Sequence, residues 1–245
     1  MSGKVTVNQL LTAYQGQSES SVRFRPATWV HALAATAGPH DLTVLLDPSI
    51  GAASTRHQGD RLLARTDVQA VVDEALVQGD DGSLVRAFLL VQAWGTGTTG
   101  NRTLRHTATA LAHRPALVKA LASAAEALRG ASSPDALADA YNAWNSPGVG
   151  RSFFTKWFAY AGRTGAREWQ PLILDDRVLA TLNDTLKVTT HDLAGSRRWP
   201  QRYQAYVTTA HRWGSEFPEG PLPAERVEWV LFRHAGAEGA KPRAQ

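Results

Sequence analysis

Apolar residues recur at helical spacing along most of this chain, and strict alternation of apolar and polar positions is nearly absent. PATWVHALAATAG reads as a helix with Pro26 in its first turn and Gly38 as its stop. HDLTVLLDPSIGAASTRHQG is less regular and suits a short strand or an extended loop. Asp67 can cap VQAVVDEALVQG. DGSLVRAFLLVQAWG is apolar on nearly every side, the pattern of a buried central helix. ALVKALASAAEALRG follows, then SPDALADAYNAW with Ser133 as N-cap and Pro134 at the first helical position. DRVLATLNDTL, RYQAYVTTAHRWG and AERVEWVLFRHAG complete the series. The pattern predicts an all-α fold over residues 23–235, with a polar N-terminal arm at 1–22 and a disordered tail at 236–245.

One stretch departs from a plain run of helices. Pro147, Gly148, Val149 and Gly150 separate two helical segments, so that 136–162 reads as a helix, a hairpin and a second helix. Glycines let the backbone turn sharply there and leave amide N–H groups exposed at the start of the second helix. With the positive end of the helix dipole, those donors suit a phosphate oxygen, and Arg151 adds a charge. Gly148, Val149, Gly150 and Arg151 are therefore candidates for gripping a nucleic-acid backbone. A connection that touches nothing is the alternative.

Two side chains near the hairpin could carry chemistry. On the second helix Phe154, Trp157, Phe158 and Ala161 share an apolar face, and Lys156 lies on the other side, one turn after Ser152 and one turn before Tyr160. A lysine there is either solvated or, beside a cleft, an amine able to attack a sugar carbon. Asp175 and Asp176 follow the extended PLIL segment and precede DRVLATL. Either can be an ordinary N-cap, or a carboxylate that stabilises positive charge on a deoxyribose ring. Eight tryptophans suit a helical core, and Trp144, Trp157 and Trp169, with Phe153 or Tyr160, could also line a base-stacking pocket.

Composition narrows the partners. A net charge of +4 is compatible with a polyanion. The absence of cysteine excludes disulfides and thiolate metal sites and makes a cytoplasmic location the expectation. No apolar run is long enough for a bilayer, and the N-terminus lacks the pattern of a secretory signal. Gly95 to Gly100, GTGTTG, fits a dinucleotide fingerprint in letters but follows a helical run where that motif requires a strand, so no nucleotide cofactor is expected. The eight histidines form no recognised ligand pair, and no metal is expected.

The segment 144–178, with the phrases FFTKWFAYAG and PLILDDRV and the later VEWVLFRH, resembles the helix-hairpin-helix DNA glycosylases, and within them the bacterial proteins of the 8-oxoguanine glycosylase (OGG) fold. The resemblance extends over Phe24 to His234 and implies two helical subdomains around a cleft. It places Lys156 at the nucleophile position and Asp175 at the aspartate position, because their spacing matches those enzymes. Trp144, Ser152, Phe153, Tyr160 and Asp176 become candidates for the base pocket. There is one departure: lyase members carry their lysine two residues after the second hairpin glycine, where this chain has Ser152.

The implied activity is excision of an oxidised or otherwise modified base from double-stranded DNA by base flipping, with 8-oxoguanine as first substrate and a modified phage base as second. AP lyase activity is expected if Lys156 attacks, and a monofunctional enzyme if Asp175 or Asp176 directs a water. A monomer without cofactor, associated with the nucleoid when bound, is the matching expectation. The rivals are a hairpin protein that binds DNA without catalysis and a helical interaction domain in which PGVG is only a turn.

Overall fold

The computed structural model describes residues 5–98, 100–165 and 167–238. In chain order the first helices are α1 (Val7–Ala13), α2 (Pro26–Leu33), α3 (Thr43–Leu46), α4 (Arg65–Gln78), α5 (Asp81–Thr96), α6 (Asn101–Ala112) and α7 (Arg114–Gly130). They are followed by α8 (Asp135–Ala143), α9 (Arg151–Ala161), α10 (Asp176–Ala180), α11 (Thr190–Ala194), α12 (Trp199–Ser215) and α13 (Ala224–Glu238). Three short strands, β1 (Val22–Phe24), β2 (Ala52–Ala53) and β3 (Arg61–Leu63), form one antiparallel sheet in the order β1-β3-β2. The fold is mostly helical, as the periodicity predicts, and it divides into two compact units. One comprises Ser20–Gly130 and Ala143–Arg163; the other comprises 1–19, 131–142 and 164–245.

In the first unit α5 is the core. Its side chains are buried from Ser83 to Trp94 except half-buried Arg86, with Phe88, Leu89 and Leu90 wholly inaccessible. A helix apolar on all sides has no solvent face to offer, so α4, α7 and α9 pack around it. Asp80 caps α5 by accepting from the Ser83 N–H at 3.0 Å. Asp67 works from inside its helix instead of before it. α4 begins at Arg65, and the Asp67 carboxylate reaches back to the Ala64 N–H at 2.8 Å. α6 was not legible in the pattern, because threonine holds two of its buried positions, Thr103 and Thr107, beside Leu104, Ala110 and Leu111.

The irregular segment after α2 contributes helix α3 and strand β2, and the sheet is closed by charge. Asp60, just before β3, is 2% exposed and accepts from Arg25 Nε at 2.7 Å, with Arg23 Nη1 at 3.5 Å. Arg23 lies in β1 and Arg25 follows it, so one buried carboxylate ties the two strands together at the Phe24–Arg61 end of their ladder.

In the second unit the stretch expected as a loose arm contains α1, which docks on α13. Leu10 and Leu11 are buried, the Tyr14 ring meets Trp229 edge-on at 6.0 Å, and Arg226 donates to the Tyr14 carbonyl at 2.5 Å. These apolar residues precede the polar QGQSESS run and give the arm something to bury. Of the expected tail, α13 continues to Glu238, and 239–245 lie outside the described residues.

The segment before α10 is extended and buried without a strand beside it among the described residues, so side chains serve its backbone. Tyr203 Oη donates to Leu172 O at 2.8 Å, and Tyr206 Oη to Ile173 O at 3.0 Å. The Ile173 N–H donates to Glu228 Oε2 at 2.6 Å. His211 Nε2 lies 2.9 Å from Gln170 N and 3.0 Å from Gln170 O. Burial and the neighbouring Glu228 carboxylate push the Tyr203 phenol well above its ordinary value, which keeps it a donor.

The Arg25 guanidinium, through its hydrogen bond, holds the Asp60 carboxyl below the usual carboxylate range. Its stabilising contribution is complete above the unfolded value of about 4 and is lost as pH falls through the lower folded value. Urea unfolding at pH 7 and pH 3 should show stability dropping with acid. Asp60→Asn should cost about 1–3 kcal/mol at pH 7 and flatten part of that slope.

Candidate functional site

The hairpin turn is set by one glycine. Gly148 has φ +81°, in the left-handed region, and a Cβ placed there would lie 2.5 Å from His106 O and 2.9 Å from Thr109 Cβ. The turn is thus pressed against the middle of α6. Val149 is buried, and its N–H donates to Ser146 O at 3.3 Å. Gly150 differs from what the sequence suggests: with φ −80° and ψ 175° it is ordinary extended backbone, and nothing lies within 4 Å of a Cβ built on it. Its contribution is openness. No side chain caps the N-terminus of α9, while the Gly150 carbonyl accepts from Phe153 and Phe154 at 2.9 and 3.0 Å. The first-turn amides and the helix dipole therefore face an uncrowded surface, with half-buried Arg151 beside them.

Phe154, Trp157, Phe158 and Ala161 form the buried face of α9 that their spacing predicts. Trp157 Nε1–H donates to Leu121 O at 3.1 Å, which places Trp157 in the core and away from any pocket. The C-terminal carbonyls of α9 are taken by neighbours: Gln69 Nε2 donates to Tyr160 O at 3.1 Å and Arg129 Nη1 to Ala161 O at 3.5 Å. Both ends of the helix are held by side chains or turns of the same unit.

Lys156 is not solvated. It is 5% exposed, its Nζ donates to Ser152 O at 2.7 Å, and the Phe153 ring centroid lies 5.6 Å from Nζ. The space for its stem is made by Gly95 on α5, where a Cβ would lie 2.5 Å from Lys156 Cδ and 2.6 Å from Cε. Gly95 escaped the sequence reading because it opens the GTGTTG run. In the structure Gly95 and Thr96 end α5, Gly97 turns at φ +66°, and Gly100 precedes α6, so the run joins two helices.

The remaining pocket candidates are engaged in packing to different degrees. Tyr160 is 1% exposed and meets Trp94 edge-on at 5.4 Å, with the Arg65 guanidinium 5.2 Å from the Trp94 ring. Trp144 stacks on Phe154 at 5.4 Å and is half-buried. Ser152 and Phe153 are also half-buried.

Asp175 and Asp176 belong to the other unit. The clamped extended segment delivers Asp175 to the start of α10, where it is 8% exposed and Oδ1 accepts from the Arg177 and Val178 N–H groups, each at 3.0 Å. It is an N-cap with a fixed orientation. Asp176 follows in the first turn and is exposed. Trp169 is tied down in this unit, with Nε1–H donating to Ser132 O at 3.4 Å and Arg167 stacked 3.6 Å from its ring.

A helical unit with a glycine hairpin, an uncapped helix start and a buried lysine behind it defines a class, the helix-hairpin-helix proteins. The family model described as "putative 8-oxoguanine DNA glycosylase OGG-like protein" matches residues 15–232. The chain belongs to this family, and that membership ties it to the DNA glycosylases. No curated protein and no solved structure matches it. Among the described residues no helix is long and apolar enough to cross a membrane.

The two hairpin glycines should respond differently to a methyl group. Gly148→Ala combines a left-handed φ with a backbone clash and should cost at least about 1–2 kcal/mol, visible as a lower thermal midpoint. Gly150→Ala should leave that midpoint nearly unchanged.

Proposed function

We propose that this protein is a DNA glycosylase that excises a modified base, with 8-oxoguanine as the first substrate to try, and that Lys156 is its nucleophile. The observation that carries this reading is the burial of Lys156 at 5% exposure, one turn into the helix that the glycine hairpin starts. Lysine is rarely buried this far, and here the amine is held on a fixed course with the Ser152 carbonyl 2.7 Å away. Here its stem fills a slot that a single Cβ at Gly95 would close.

In the proposed reaction the hairpin amides and Arg151 hold a phosphate and set register on the duplex. The target nucleotide leaves the stack. The unprotonated Lys156 amine attacks C1′; the C1′–N bond breaks, its electron pair departs with the base, and the base takes up a proton. The aminated sugar opens to a Schiff base. Asp175, held rigidly as the cap of α10, supplies the carboxylate that stabilises cationic character on the sugar. In the monofunctional variant of this chemistry a water replaces the amine and Asp175 orients it.

Incubation with duplexes carrying a panel of modified bases, phage-type modified cytosines included, separates the possibilities. With borohydride present, a covalent adduct should form and should disappear in Lys156→Gln. Base release detected only after alkali, surviving Lys156→Gln but lost in Asp175→Asn, would assign a water mechanism. Failure of both across the panel would leave a DNA binder without catalysis. Gly95→Ala should retain the fold, since alanine is the better helix former, yet displace the Lys156 stem and lower the trapping rate by roughly tenfold or more. DNA affinity should fall log-linearly with salt, and Arg151→Ala should reduce the slope by about one.

A further inference from the structure

Between α5 and α6 the first unit buries polar groups that the proposed reaction does not use. Gln92 and Thr107 are each 2% exposed and Thr103 is 7% exposed. Gln92 Nε2, Thr96 Oγ1 and Thr107 Oγ1 are buried atoms with no hydrogen-bond partner among the described residues. Buried polar atoms in folded proteins are nearly always paired, so three orphans in one neighbourhood are unusual.

Their neighbourhood follows from printed contacts and helix geometry. A Cβ on Gly100 would meet Thr96 Cγ2 at 2.0 Å and Thr103 Cβ at 3.4 Å, so both threonines flank that glycine. Gln92 lies one turn back along α5 and Thr107 one turn on along α6. Gly95, against which the Lys156 stem rests, sits on α5 between Gln92 and Thr96. Gln92 and Thr96 therefore lie within one helical turn of the residue that the Lys156 stem touches. An amide nitrogen donates two hydrogens and accepts none, and each hydroxyl can donate one. The hydroxyls can also accept, but the amide nitrogen calls for an acceptor on the ligand edge, such as a nucleobase carbonyl oxygen.

We infer that Gln92, with Thr96 and Thr107, reads the edge of the extruded base, and that this edge carries a carbonyl oxygen, as in guanine, 8-oxoguanine or uracil. The inference deepens the glycosylase reading and rests on its base extrusion. Gln92 is then a specificity residue: it touches the base and takes no part in bond breaking.

The test uses binding, so it does not depend on turnover. Duplexes are prepared with 2′-fluoroarabino nucleosides of guanine, 8-oxoguanine, uracil and adenine, which resist base loss, and with a tetrahydrofuran abasic analogue. The wild-type protein should bind at least one carbonyl-bearing duplex about tenfold more tightly than the abasic and adenine duplexes, the worth of one or two well-made hydrogen bonds. Gln92→Leu, similar in volume and without donors, should abolish that preference and leave abasic affinity unchanged. Thr96→Val should reduce it in the same sense and serves as the decisive variant if Gln92→Leu does not fold. Retention of the full preference in the folded variant, or equal wild-type binding to all five duplexes, would overturn the inference. Failure of the borohydride and alkali assays with the binding preference intact would count against the glycosylase reading alone; base release with selectivity untouched by Gln92→Leu would count against the inference alone.

Discussion

The placement of α9 depends on contacts that exist only because two side chains are missing. At Gly148 the backbone of the turn lies against the backbone of α6, and at Gly95 the stem of Lys156 lies where a methyl group would otherwise stand. Steric exclusion at 2.5 Å is much steeper than any hydrogen bond, so these two positions fix where the helix starts and which way its lysine runs. The aromatic face formed by Phe154, Trp157 and Phe158 then supplies the adhesion. Glycine decides the geometry and the aromatics hold it.

The second unit reaches a similar precision by polar means. Its extended segment has no strand partner, and each exposed amide or carbonyl would be costly in the interior. Tyr203, Tyr206, Glu228 and His211 reach in from α12 and α13 and answer those groups one by one. The result is a backbone held along its length, ending in a carboxylate that caps α10. A cap of this kind has both its position and its rotamer set by the fold.

Ser152 stands where the resemblance to lyase members implies a lysine, and Lys156 follows it on the same helix. One turn separates the two residues, and the Lys156 amine returns along the helix to the Ser152 carbonyl at 2.7 Å. The amine is therefore held on the first two turns of α9, between the levels of Ser152 and Lys156.

What the sequence determined by itself was the material of the site: the helical class, the all-apolar α5, the PGVG turn, the aromatic face of α9, and Asp175 at a helix start. Those features rest on local chemistry, where spacing and residue type suffice. Other features were decided only in three dimensions. α6 was hidden because threonines fill buried positions that a hydrophobic pattern assigns to solvent. α1 was read as an arm because the polar run after it outweighs two leucines and a tyrosine whose partners lie at the other end of the chain. Gly95 carried no distinguishing mark among the glycines of its run until folding set Lys156 against it, and the orphaned amide of Gln92 is a property of its surroundings. Periodicity reports what a residue does to its own helix; burial, close approach and unmet hydrogen bonds arise between segments distant in sequence, and only the tertiary structure brings those together.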